Sequence, residues 1–108
     1  MAILRGALQS SKLINYEITS NVAKGDILQI NDVVGVALQD GVAGENIPFI
    51  IEADIVEFDC DLDNYSAGEK IYLDSSTKKV NKNNAGIPVG YVYESKANAT
   101  KIDVVFKQ

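Results

Sequence analysis

Histidine is absent from the sequence, which removes the side chain most often used for proton transfer near neutral pH and the commonest zinc ligand. Tryptophan is absent too, and a single cysteine, Cys60, rules out an internal disulfide framework. One thiol suits a chain made and kept in a reducing cytoplasm. Basic residues are few: 10 Lys and Arg against 15 Asp and Glu leave a formal net charge of −5. The lysines are scattered among carboxylates, so there is no basic face to neutralise phosphates, and nucleic acid is not an expected partner. No apolar run approaches the roughly 18 residues that span a bilayer. Ala2-Ile3-Leu4 runs straight into Arg5 and Gly6, so neither a membrane helix nor a signal-peptide core is expected, and no membrane partner.

What is present is globular: 46% hydrophobic and 23% charged residues in 108 positions, enough for one domain with one modest core. Wherever a period can be read it is two. Val56, Phe58, Cys60 and Leu62 alternate with Glu57, Asp59, Asp61 and Asp63, and Ile102, Val104 and Phe106 with Lys101, Asp103 and Lys107. Both stretches read as half-buried strands, and they place Phe58, Leu62, Val104 and Phe106 in the core. Shorter runs rich in Ile, Val and Tyr at 13–19, 26–30, 33–38, 47–51, 70–73 and 88–93 bring the expected total to about eight strands. The only helix-like stretch is Ser95–Ala99, a single turn at most. Polar segments 74–79 and 81–86 read as exposed loops. The fold class is all-β.

Three segments echo one another. Val22-Ala23-Lys24-Gly25-Asp26-Ile27-Leu28 and Ser66-Ala67-Gly68-Glu69-Lys70-Ile71-Tyr72 are each a Gly-acid turn feeding a strand, and Val42-Ala43-Gly44-Glu45 is a third copy. Val34-Gly35-Val36-Ala37 and Val89-Gly90-Tyr91-Val92 put glycine inside a strand, the mark of a bulge or bend that helps a small sheet curl into a barrel.

Few residues invite chemistry. Asp59, Asp61, Asp63 and Asn64 suggest a calcium loop, but the sixth position is Asn64 where glycine is required and the twelfth is Lys70 where a bidentate Glu is required. No metal site is expected, and no cofactor. A row of carboxylates along one strand offers no opposing wall for glycoside hydrolysis. Cys60, alternating with Phe58 and Leu62, reads as core packing rather than a nucleophile. Asn98-Ala99-Thr100 fits the glycosylation pattern without a secretory context to use it. Tyr65, Tyr72, Tyr91 and Tyr93 could stack on sugars, but they lie in or beside strands, where Tyr is favoured for packing and interfaces. The chain does not read as an enzyme.

The order of Val22–Asp26, Val34–Ala37, Ala43–Glu45, Ala67–Asp74 and Ile87–Gly90 resembles a family of phage capsid decoration, or cement, proteins, formerly a domain of unknown function. These proteins are similar in role to lambda-type head decoration proteins. Where the family often has Glu-Gly in its central strand, this chain has Glu52-Ala53, which predicts that a bulge is missing there. The resemblance implies a small β-barrel or β-tulip on the outer surface of the mature head. There it bridges major capsid protein subunits, often as a homotrimer, after synthesis in the host cytoplasm. A carbohydrate-binding module displayed on the virion is the alternative. Residues 1–12, apolar at Ile3, Leu4 and Leu8, read as an N-terminal arm ahead of a barrel at 13–108. The arm is expected to be free in the unbound protein and to anchor it to the capsid through Ile3, Leu4, Arg5 and Leu8.

Overall fold

A computed structural model of the chain describes residues 2–5 and 11–108, with residues 3–5 described by backbone alone. The described residues form nine strands and no helix: β1 (Ala2–Arg5), β2 (Lys12–Glu17), β3 (Ile27–Ile30), β4 (Val33–Ala37), β5 (Asn46–Tyr65), β6 (Lys70–Asp74), β7 (Lys79–Asn81), β8 (Ile87–Val92) and β9 (Lys96–Lys107). The runs at 47–51 and 56–63 are one continuous strand of 20 residues, β5. Its second half closes a five-stranded barrel in the order β5-β7-β6-β8-β9, with β9 returning to β5. Its first half carries β2 on one edge and the β4–β3 hairpin on the other.

Closure follows from long, bulged strands. The β5–β9 register shifts between Ala53 and Val56 and again between Asp59 and Tyr65, and each shift sharpens the local bend and twist. The first shift corrects the expectation drawn from Glu52-Ala53: a bulge forms there without glycine, and Ala53 is buried. The second corrects the core list. The alternation holds through Phe58 and Cys60, both buried, but it breaks before Leu62, which is 70% exposed. Tyr65 takes the next inward place. Phe58, Val104 and Phe106 are fully buried as expected, and the two phenyl rings meet edge to face at 5.6 Å. Ser95–Ala99 is no helical turn either, since from Lys96 it is the start of β9.

A second, smaller core lies across the first half of β5. Phe49 and Ile50 are neighbours in an extended strand and so point to opposite faces. Ile50 joins the barrel core, while Phe49 packs with Ile18, Ile30, Ala37 and Ile47. Burial on both faces explains why Ile47–Ile51 reads as an apolar run rather than as an alternation.

The sequence echo is a repeated structure. Gly25, Gly44 and Gly68 all have φ near +90°, which a Cβ would disfavour. In each turn the acid's carboxylate accepts from the N–H three residues back: Asp26 from Ala23 at 2.8 Å, Glu45 from Val42 at 2.7 Å, Glu69 from Ser66 at 2.6 Å. Each glycine N–H then donates to a neighbouring segment, to the carbonyls of Ala37, Ile18 and Val92 respectively. A side chain three residues beyond that acceptor takes the turn's remaining N–H: Asp40 from Lys24, Asn21 from Ala43, Ser95 from Ala67. The first two copies clasp each other, and their centre is a two-way backbone bridge between Val22 and Gly41. Asn64 accepts from the N–H of Asn98 in β9 at 2.9 Å. Glu69→Ala is therefore expected to cost about 0.5–2 kcal/mol, as loss of a helix cap does, read as a lower thermal midpoint with an unchanged β-type circular dichroism spectrum.

The last residue closes the remaining gap in the sheet. Gln108 presents its side-chain amide as a strand would present its backbone: Oε1 accepts from Val34 N–H at 2.6 Å, and Nε2 donates to the carbonyls of Val34 and Ile51 at 2.7 and 2.8 Å. This ties β4 to β5 beyond the point where their own pairing, Val36 and Ala37 with Ile50 and Phe49, ends. Gln108→Glu keeps the size and loses the donor, turning an oxygen toward two carbonyls. The expected loss is about 1–3 kcal/mol, with faster amide exchange at Val34 than in the parent chain.

Candidate functional site

The residues singled out for binding sit at the edge of β5. Residues 2–5 form β1, antiparallel to β5 with Ala2, Ile3, Leu4 and Arg5 facing Phe58, Glu57, Val56 and Ile55. Ala2 is buried, and its N–H donates to the carbonyl of Gly25 at 2.8 Å. Over these residues the expected free arm is thus a paired strand. The reason is local: β9 covers only one edge of Val56–Phe58, and an unpaired edge attracts a strand. Leu8 lies outside the described residues.

Next to this edge runs the acidic row, and its members are matched one by one rather than converging. Lys101 Nζ lies 2.6 Å from Asp59 Oδ1, Asn81 donates to Asp61, and Lys82 reaches Asp63 and Glu69 at 3.5 and 3.9 Å. Lys101 holds the Asp59 carboxyl below its usual range. A depressed carboxylate pKa stabilises the fold above the ordinary value and loses that contribution as pH falls through the lowered one. Because both side chains are substantially in solvent, the effect is small and weakened by salt.

Cys60 and Tyr65 belong to the barrel interior. Burial raises the Cys60 thiol above its usual pKa, and burial raises the Tyr65 hydroxyl in the same way. Tyr65 O–H donates to the Asp61 carbonyl at 2.7 Å, across the bulge. A thiol held neutral in a packed core is no nucleophile, in keeping with the sequence reading of Cys60.

The surface depressions among the described residues include two shallow ones. One, of about 330 Å³, is lined by Gln29, Asp74, Asn81, Asn83 and neighbours. Its polar groups serve the local turns: Asp74 accepts from Ser76, Asn81 from the Asn83 N–H, and Asn83 from the Ala85 N–H. The other, of about 230 Å³, lies between Glu57, Glu94, Ser95, Lys96 and Asp103. Neither is a closed cleft around a nucleophile and a base. Among the described residues, the large apolar side chains left outside are Leu13, Val42, Leu62, Tyr91 and Tyr93, from 45% to 70% exposed.

Sequence reasoning missed Asn21, Asp40, Ser95 and Gln108. The first two had a signal: each is a polar residue five positions ahead of the acid of the turn that follows it, Asn21 before Asp26 and Asp40 before Glu45. Gln108 had none, because its partners Val34 and Ile51 are distant in the chain.

Residues 8–108 match the sequence model of a family described as phage cement protein. No curated protein and no solved structure matches the chain significantly.

Proposed function

This chain belongs to the phage cement protein family, and we propose that it binds the outer surface of the expanded head and bridges neighbouring major capsid protein subunits. The observation that carries the reading is the family match over nearly the whole barrel. The geometry supports it: a rigid closed scaffold with exposed apolar side chains and no reaction cleft among the described residues is suited to contact rather than turnover. The mechanism is linkage, in which a protein that binds only the expanded shell stabilises that state by its binding free energy. We place the capsid contact at the N-terminal segment, with Ile3, Leu4, Arg5 and Leu8, and take the bound form to be a homotrimer, since a closed ring engages several segments at once.

Co-sedimentation tests this. The purified protein is expected to pellet with expanded capsids and to stay in solution with unexpanded ones. Tyr91 and Tyr93, two residues apart and about half exposed, favour a second reading, stacking on a glycan. Binding to a glycan array with no binding to either capsid form would replace the first reading by the second.

A further inference from the structure

The sheet built on the first half of β5, in the order β3-β4-β5-β2, has two outer edges. Among the described residues β3 pairs only with β4, and β2 only with β5. The bonds inside the sheet tell which backbone groups point out along each edge. Val34 commits both its N–H and its carbonyl to Gln108, so Gln29, which faces Val34, turns its own pair outward, as does Ile27 by alternation. The carbonyl of Pro48 accepts from Leu38, so Asn15, which faces Pro48, points outward together with Leu13 and Glu17. Neither edge is blunted: Ile27-Leu28-Gln29-Ile30 and Leu13-Ile14-Asn15-Tyr16 carry no charge and no proline, and both pair with their neighbours in unbroken register. Bare edges of this kind invite a strand.

The two edges fit each other. With Asn15 laid antiparallel against Gln29 of a second copy, Ile14 meets Ile30, Tyr16 meets Leu28 and Glu17 meets Ile27. Opposed side chains share a face of the sheet. Ile14, Tyr16, Leu28 and Ile30 all belong to the small core around Phe49, so the apolar face runs unbroken from one copy to the next. The same register carries Lys12 to the tip of the β3–β4 hairpin, Asn31-Asp32, where its ammonium meets the Asp32 carboxylate. Like edges fit worse. β3 against β3 about Gln29 sets Asp26 against Asp32 twice, and β2 against β2 about Asn15 sets Leu13 opposite Glu17. We propose that copies of this chain join head to tail, β2 of one adding to β3 of the next, so that both edges of every copy are covered when the ring closes. The contact does not depend on capsid binding, and the homotrimer proposed above is one such ring.

In this pairing the Cα atoms of Asn15 and Gln29 stand about 5.5 Å apart, within the span of a disulfide. Lys12, Asn15, Gln29 and Asp32 are all exposed, so substitution there leaves the core intact, which circular dichroism checks. Asn15→Cys and Gln29→Cys chains are mixed in equal amounts, oxidised mildly, and their dimers counted by intact mass. Cys60 is buried and does not compete. The mixed dimer is expected to exceed each homodimer by at least about tenfold. Lys12→Glu on the Asn15→Cys chain is expected to lower the mixed yield at least about threefold, and Asp32→Lys on the Gln29→Cys chain to restore it. Restoration separates the contact between copies from the 3.8 Å ion pair of Lys12 with Glu52 in its own chain. Homodimers as abundant as the mixed dimer, or no dimers at all, overturn the head-to-tail pairing, and a yield that Asp32→Lys fails to restore overturns this register. No capsid enters the experiment, so either failure leaves the capsid reading standing.

Discussion

Phe58→Ala is expected to cost about 3–5 kcal/mol, a large part of the roughly 5–15 kcal/mol that holds a domain of this kind together. Phe58 is fully buried in the middle of β5, faces Ile102 of β9, and meets the Phe106 ring at 75° between planes. These are the two strands that close the barrel, so the cavity opens at its seam, where backbone pairing on both sides limits collapse. Urea titration should show the midpoint falling sharply. Leu62→Ala, four residues along the same strand, should stay within about 0.5 kcal/mol, because its side chain is mostly in water. Comparable losses at the two positions would mean that the bulge does not reverse the alternation as described.

Gly90→Ala is expected to cost about 3 kcal/mol or more, combining strain in a backbone region that L residues avoid with forced overpacking. Gly90 has φ +148°, and a Cβ there would collide with the carbonyl oxygen of Val105. That neighbour is backbone, paired to Tyr91 in the β8–β9 ladder, so it cannot swing aside as a side-chain tip could. The β6–β8 register shift beside Gly90 is the bend that lets β8 join the barrel wall. Gly68→Ala provides the comparison: φ is +89° but nothing lies within 4 Å of the added carbon. Only the strain remains, about 1 kcal/mol, and thermal melts of the two variants should differ accordingly.

The strands that the sequence announced are those whose burial alternates over several residues without interruption. Val56–Cys60 and Ile102–Phe106 qualify, because one face is core and the other is solvent. Leu62 was misplaced because the bulge before it is set by the pairing of Asp63 with Ala99 in β9, a contact that no local pattern encodes. β7 went unread for a similar reason: Lys79-Val80-Asn81 has a single apolar residue, and only its pairing with β6 and the parallel bridge from Cys60 to Val80 make it part of the wall. Ser95–Ala99 looked helix-like, but the main-chain pairing of Tyr65 with Lys96 and of Asp63 with Ala99, and the Asn64 cap on Asn98, hold it against β5. The Gly-acid turns were legible because glycine and acid are adjacent, whereas their third partners are strangers in sequence. At the candidate site, the apolar content of Ile3 and Leu4 signalled a segment seeking a partner. That β5 of the same chain provides one follows from the length of β5, which outruns β2 and leaves an edge to cover.

The central claim is that this barrel cements a shell, and calorimetry of expanded capsids with and without added protein tests it most directly. The shell's unfolding temperature should rise with the concentration of free protein until the sites are filled, as linkage requires for a ligand of the assembled state. A shell that binds the protein but melts at the same temperature at every concentration would contradict the account.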